Sequence, residues 1–244
     1  HGVMLTNTPG TLDTSVAEHA VALLLAMVRK VPAFDRQARA GSWAPVTAFE
    51  LGGKALGIAG FGKIGKRTAL IASRGFGMRI HAFDSVPIEK QAAGEGIGVG
   101  DLRARYALDS YDTDFAAFAR RVRIVSIHMP VTAETRGYFS RERLAQLSPG
   151  TILVNTGRGA LMDEVALYDA LRSGPLGGAA LDVFAEEPYR PASTDHDLRA
   201  LENVVLTPHV ASNTVEANAN MAASAVANVK AFLAGSTSSL NRVY

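Results

Sequence analysis

Three polar side chains follow stretches that read as buried strands. Arg158 comes after Thr151 to Asn155 (TILVN), in the loop Thr156-Gly157-Arg158-Gly159. Glu187 lies in Asp182-Val183-Phe184-Ala185-Glu186-Glu187-Pro188, and His209 closes Val204-Val205-Leu206-Thr207-Pro208-His209. A guanidinium grips a carboxylate through two parallel donors and polarises a carbonyl beside it; an arginine here can equally tie its loop to the strand ends. An imidazole gives a proton to a forming alkoxide and takes it back in reverse, although backbone groups satisfy many a lone histidine. A carboxylate beside His209 would favour the imidazolium and fix the ring tautomer. That is the reading for Glu187, whereas Glu186 reads as solvated. Together the three suit reduction of a carbonyl next to a carboxylate, if a hydride source lies alongside.

The stretch from Leu56 to Asp84 offers a place for one. Leu56-Gly57-Ile58-Ala59 is a short apolar strand that enters Gly60-Phe61-Gly62-Lys63-Ile64-Gly65; a helical run including Thr68 to Ser73 follows, then Met78 to Phe83 and an acid, Asp84. Strand, glycine turn, helix, strand and acid come in the order of a dinucleotide site. Gly60 permits the tight turn, Gly62 lets the backbone approach a diphosphate, and Gly65 lets the helix pack on the strand. The helix N-terminus offers free N–H groups to the phosphates. Asp84 can accept from a ribose diol and would repel a 2′-phosphate; Ser85 is not the arginine that would welcome one. The cofactor expected is therefore NAD rather than NADP. Asp182, ending a buried strand, needs a partner that a nicotinamide carboxamide can supply. His128 is expected to line the cleft without titrating, and His19, His81 and His196 read as structural. No metal site is expected, because the histidines and acids lack ligand spacing.

The elements that must position these groups alternate. Gly2 to Asn7 reads as a strand. Ser15-Val16-Ala17-Glu18 reads as a capping box opening an apolar helix to about Lys30, with Pro32 limiting its extension; such a helix is buried in a core or against another subunit. Arg36 to Ser42 is polar and Trp43 stands in a loop. After the nucleotide unit, Pro87 to Gly100 shows no pattern, and Asp101 to Ser110 reads as helix then loop. Helices are expected at Asp112 to Arg121, Arg141 to Leu147, Asp163 to Arg172 (capped by Gly174) and Thr214 to Ala234. Strands are expected at Arg123 to His128, Thr151 to Asn155, Gly178 to Val183 and Val204 to Leu206. This alternation implies an α/β fold, a doubly wound parallel sheet with helices on both faces.

Length and composition exclude several classes. The 244 residues suffice for one large domain or two small ones, with a net charge of +2 that argues for neither nucleic acid nor an anionic membrane. With no cysteine, disulfides and thiolate chemistry are ruled out. The longest apolar run, Ala20 to Val28, is too short to cross a bilayer, and no basic leader segment opens the sequence, so a cytoplasmic location is expected. A first residue of His1 implies a chain that begins inside something longer or after processing.

The sequence resembles the NAD-dependent D-2-hydroxyacid dehydrogenase family. The resemblance rests on Thr6-Asn7-Thr8-Pro9-Gly10 with Val16-Ala17-Glu18, Gly57 to Gly65 with Asp84, and His128-Met129-Pro130 with Thr135. It continues through Val154 to Gly159 with Asp163-Glu164, Ala180 to Phe184 with Glu187-Pro188, and Thr207-Pro208-His209. It implies a Rossmann-type nucleotide domain (residues 13–209), hydride transfer between NAD(H) and a small D-2-hydroxy or 2-oxo acid, and catalysis by Arg158, Glu187 and His209. It places cofactor contacts at Lys63, Ile64, Asp84, Pro130, Thr135, Thr156, Gly157 and Asp182, beside Gly60, Gly62, Gly65, His128, Arg158 and His209. The family's formate-oxidising branch carries glutamine at the position of Glu187, which argues against formate. The resemblance also implies a homodimer through the Ser15 to Val28 helix. Most of the family's N-terminal substrate lobe is missing from the sequence: residues 1–12 would be its remnant, and residues 210–244 would return to it. Ile88 to Tyr111 and Arg190 to Arg199 look longer than the family's usual connections. Two other readings remain open: an NAD-binding fragment or NAD-sensing, corepressor-like protein with little turnover, and an interaction module.

Overall fold

The computed structural model describes residues 3–236 and 240–243. In chain order the elements are α1 (Asp13–Val28), α2 (Val31–Arg39), β1 (Ala55–Ala59), α3 (Lys63–Phe76), β2 (Arg79–Phe83), α4 (Ile88–Gly94), α5 (Val99–Tyr106) and β3 (Leu108–Asp112). They continue as α6 (Phe115–Ala119), β4 (Ile124–Ile127), α7 (Arg141–Leu144), β5 (Thr151–Asn155), α8 (Glu164–Arg172), β6 (Leu176–Leu181), β7 (Val204–Leu206) and α9 (Val215–Leu233). The strands form one seven-stranded sheet in the order β3-β2-β1-β4-β5-β6-β7. All its pairings are parallel. The doubly wound α/β fold is thus as the alternation implied, and the strand order reverses between β1 and β4, where such sheets open a crevice at their carboxyl ends.

Both faces are covered, so the strands are apolar on both sides. Alternate residues go to opposite layers. Ala59, Phe83, Val125 and Leu153 pack with Phe115, Phe118, Leu144 and Leu167 from α6, α7 and α8. Ile58, Ala82, Ile124 and Val154 pack with Leu23, Leu24, Ala69 and Leu102 from α1, α3 and α5. Among the described residues no helix is long and apolar enough to cross a membrane.

Several local expectations need correction. Ser15 is not an N-cap: α1 starts at Asp13, and the Ser15 hydroxyl bonds the Thr214 hydroxyl at 2.8 Å instead of a helix N–H. A second helix, on which the sequence reading was silent, follows α1 directly. Lys30 turns through φ 55° and α2 begins, with Pro32 in its first turn, where a missing N–H costs nothing; Arg36 to Arg39 are helical. Within Asp101 to Ser110, the expected loop contains most of an edge strand, β3. Its sequence, Leu-Asp-Ser-Tyr-Asp, buries only Leu108 and carries no apolar run to signal it. The helix expected from Asp112 to Arg121 is the shorter α6: Asp112 ends β3, and Asp114 caps α6 by accepting from the Ala116 and Ala117 N–H groups. Ser173, rather than Gly174, closes α8.

The expected first strand begins at Gly2, outside the described residues. Its remainder is no strand: Thr6 forms a lone antiparallel bridge with Arg242. Asn228 of α9 donates to the Asn7 carbonyl at 2.9 Å, so the two chain ends meet. Residues 237–239 and 244 of the expected C-terminal segment also lie outside the description. α1 packs against α3 and β6 of its own chain, which makes it a core helix. Apolar side chains exposed in the segment that follows are Val31, Trp43, Val46 and Phe49.

Candidate active site

The glycine turn is shaped by three separate constraints. Gly60 has φ +96°, and a Cβ there would come within 2.6 Å of the His128 carbonyl carbon. A Cβ on Gly65 would lie 2.2 Å from the Gly60 oxygen, so helix α3 touches the turn it leaves. Gly62 faces open space and caps α3 with no side chain on the free N–H groups. No acid occupies the first turn of α3. Lys63 is exposed there, and Lys66 is paired with Glu95 at 2.7 Å. A bare positive helix end with room for backbone approach fits a diphosphate, so this part of the chain fits a dinucleotide.

Asp84, just past β2, does more than the sequence suggested. Its Oδ2 accepts from the Phe61 N–H at 2.7 Å and its Oδ1 from the Val86 N–H at 2.9 Å. It therefore holds the glycine turn while leaving lone pairs for a ribose. Asp84→Ala is expected to raise the NADH dissociation constant about 10–100-fold, the worth of hydrogen bonds to a charged group, and to narrow the advantage over NADPH; fluorescence titration with both nucleotides checks this.

Beyond the turn, a cavity of about 860 Å³ runs along the strand ends. Ile64, His128, Pro130, Thr156, Gly157, Arg158, Glu187 and His209, all singled out in the sequence, line it. Gly60, Gly62, Lys63, Gly65 and Asp84 lie outside this cavity; Lys63 lines a neighbouring groove of about 560 Å³ with Val86 and Lys90.

The loop carrying Arg158 is set by Asn155. Its side-chain oxygen accepts from the Gly157 N–H at 3.0 Å and its amide donates to the Arg158 carbonyl at 3.1 Å. The Arg158 guanidinium donates to the Gly157 carbonyl at 2.7 Å yet stays exposed. It thus braces its own loop while facing the cleft. Gly159 crosses the chain that follows β6, where a Cβ would fall 1.9 Å from the Phe184 carbonyl carbon.

His209 has φ +53°, a left-handed conformation uncommon outside glycine. Its Nδ1 lies 2.6 Å from Glu187 Oε2, and Glu187 Oε1 accepts from the Phe184 N–H at 3.0 Å. Burial pushes the Glu187 carboxyl up, but the bonds from His209 and Phe184 outweigh it and hold the group below its ordinary range. An ionised carboxylate only accepts, so Nδ1 carries a proton and Nε2 is left to exchange a proton with a ligand.

Two expected contacts look different in the structure. Asp182 does not need a ligand amide as its partner and does not line the cleft. Fully buried, it accepts from the Thr207 hydroxyl at 2.6 Å and from the Val210 and Ala211 N–H groups at 3.0 and 2.9 Å. Thr135 ties its own turn instead of lining the cavity, donating to the Pro130 carbonyl at 2.6 Å. Conversely, Leu12, Val16 and Arg136 line the cavity. None of the three had a place in the cleft from sequence alone, because they come from a helix start and a loop far apart along the chain.

His128 bonds Ser126 Oγ through Nε2 at 2.8 Å, while its Nδ1 and the Thr156 hydroxyl are buried without partners. Two unpaired polar atoms on residues of the cleft wall fit a site meant to receive polar ligand groups. Burial pushes the His128 imidazole down to about 4, so it stays neutral, and burial also lowers His81. A histidine neutral in the fold but free to protonate near 6.5 when unfolded makes stability fall as the pH drops from about 6.5 towards 4. Urea midpoints should therefore be lower at pH 5 than at pH 7, and His128→Asn should shrink the difference.

With this geometry in place, the comparisons with known proteins are direct. Residues 21–211 match the NAD-binding domain of the D-isomer specific 2-hydroxyacid dehydrogenases. The chain is 42% identical over 246 residues to a glyoxylate reductase of Aeropyrum pernix, covering 96% of this chain and 68% of that protein. The structure of D-lactate dehydrogenase from Aquifex aeolicus, complexed with NAD and lactic acid, superposes with a TM-score of 0.84 at 28% identity, covering 99% of this chain and 73% of that one. An NADPH-dependent glyoxylate/hydroxypyruvate reductase from Sinorhizobium meliloti, in complex with NADP and malonate, gives a TM-score of 0.80 at 33% identity over 95% of this chain and 68% of that one. Fold, glycine turn and sequence agree: the chain belongs to the D-isomer specific 2-hydroxyacid dehydrogenases and carries their NAD-binding domain.

Proposed function

We propose that the cleft reduces a small 2-oxo acid to the D-2-hydroxy acid, and reverses the reaction, with NAD(H) as cofactor. The observation that carries this reading is the 2.6 Å contact between His209 and Glu187 on the wall of the cavity that Arg158 also lines. The nicotinamide of bound NADH supplies the hydride. The Arg158 guanidinium grips the substrate carboxylate and draws electron density from the neighbouring carbonyl. His209 gives the proton on Nε2 to the carbonyl oxygen as it becomes a hydroxyl, and Glu187 offsets the imidazolium charge before that transfer. In the oxidative direction Nε2 takes the proton back.

Asp84 supports a preference for NAD over NADP, because a 2′-phosphate would lie against its carboxylate. The site residues assigned from the resemblance belong to this reading, except Asp182 and Thr135, whose polar groups are taken up by the chain itself; so does a domain division with residues 13–209 as the nucleotide unit. The proposed homodimer would form through the region of α1 and the exposed apolar residues after it, and light scattering would measure its mass. NADH oxidation followed with glyoxylate, hydroxypyruvate and pyruvate tests the activity. NADH binding without oxidation of any of them would leave a nucleotide-binding protein and end this reading.

A further inference from the structure

Helix α1 reaches the catalytic loop through two side chains one helical turn apart on the same face. Ser15 bonds Thr214 at 2.8 Å, five residues after His209. His19 Nε2 lies 3.1 Å from the Thr207 hydroxyl, two residues before His209, and 3.4 Å from Asp182 Oδ1. The direction of the bond between His19 and Thr207 follows from the next link. Thr207 spends its only proton on Asp182 at 2.6 Å, so the hydroxyl can only accept from His19, and the His19 ring carries its proton on Nε2. The relay runs from the His19 N–H to the Thr207 oxygen, and from the Thr207 hydroxyl to the Asp182 carboxylate. The same carboxylate takes the N–H groups of Val210 and Ala211.

The backbone of His209 therefore sits between two sets of bonds that converge on Asp182. That residue is in the left-handed region at φ +53°. A conformation of this kind persists only where its surroundings over-determine it. His19 contributes from outside the reaction cavity: it does not line it, and it borders a separate groove of about 810 Å³ with Ala22, Arg36 and Leu198.

We propose that His19 is a positioning residue for His209, acting through Thr207 and Asp182 to hold the imidazole at the angle from which it serves the substrate. The proposal rests on the reading of His209 as the proton donor. The test compares the parent 244-residue chain with His19→Leu and with His19→Gln, whose amide can place a donor near the position of Nε2. The imidazole spectra are read by NMR, with His209 assigned through His209→Gln, alongside melting temperature, NADH affinity and steady-state reduction of glyoxylate. In His19→Leu the His209 ring signals should shift and broaden while melting temperature and NADH affinity stay unchanged. Its kcat should fall about 10–100-fold, as for a misplaced reacting group, with KM unchanged. His19→Gln should restore the parental spectrum and kcat. A His19→Leu variant with the parental ring signals overturns the proposal. Equal losses in both variants, in step with a lower melting temperature, also overturn it, since His19 would then merely hold the helix to the sheet. The ring spectra decide even where turnover is too slow to follow. Parental turnover in His209→Gln would instead remove the reading of the cleft, a distinguishable failure.

Discussion

His209→Asn should lower kcat/KM for reduction of a 2-oxo acid by about 10²–10⁴-fold, the usual contribution of a positioned general acid, and leave the NADH dissociation constant nearly unchanged. Asparagine is the replacement of choice because it tolerates the left-handed backbone that His209 adopts at φ +53°. The loop can thus keep its course, still held by Asp182 through Val210 and Ala211. Only the titratable ring is lost. Rates with a saturating 2-oxo acid, read beside a nucleotide titration, separate the two effects; a variant near the parental rate would exclude His209 as the proton donor.

Gly159→Val should destabilise the fold by at least about 3 kcal/mol, the upper end for overpacking a tight core site. A new Cβ would overlap the Phe184 carbonyl carbon at 1.9 Å and the Ala185 nitrogen at 2.5 Å, and both are backbone atoms that cannot swing aside. For a domain of this size the melting temperature should fall by roughly 6–12 °C. The loops pushed apart are those carrying Arg158 and Glu187, so turnover should be lost as well. Gly62→Ala is the informative contrast. Nothing lies within 4 Å of its Cβ position and its φ is −80°, so stability should hold. The added methyl would occupy the space through which the backbone approaches a diphosphate, and NADH affinity should drop by at least about 10-fold, or 1.4 kcal/mol. Differential scanning fluorimetry with and without NADH reads both variants at once.

Much of this architecture was legible because its signals are local. The inner strands are buried on both faces and spell apolar runs such as TILVN, and the glycine turn states its own geometry. The edge strand β3 escaped because only Leu108 is buried, and a ladder on one side needs no apolar pattern. Ser15 misled for a different reason: its hydroxyl had a choice between a helix N–H and Thr214, almost two hundred residues away, and sequence spacing records only the first. The same holds for the site. Arg158, Glu187 and His209 were legible because each follows a recognisable strand. The bonding of Asp182 was not, since its partners come from the loop after β7. Arg136, Leu12 and Val16 enter the cavity only through the way the chain is folded.

The strand order has a consequence for engineering. The glycine turn and Asp84, which fit the diphosphate and ribose, follow β1 and β2, whereas Arg158, Glu187 and His209 follow β5, β6 and β7. The diphosphate and ribose grip therefore precedes the proposed acid chemistry along the chain, while Thr156 and Gly157 stay with the latter. A chimera spliced between β4 and β5 could exchange one for the other with a single junction, provided that the graft kept the ladder in which Ile124 faces Ile152 and Ile127 faces Asn155.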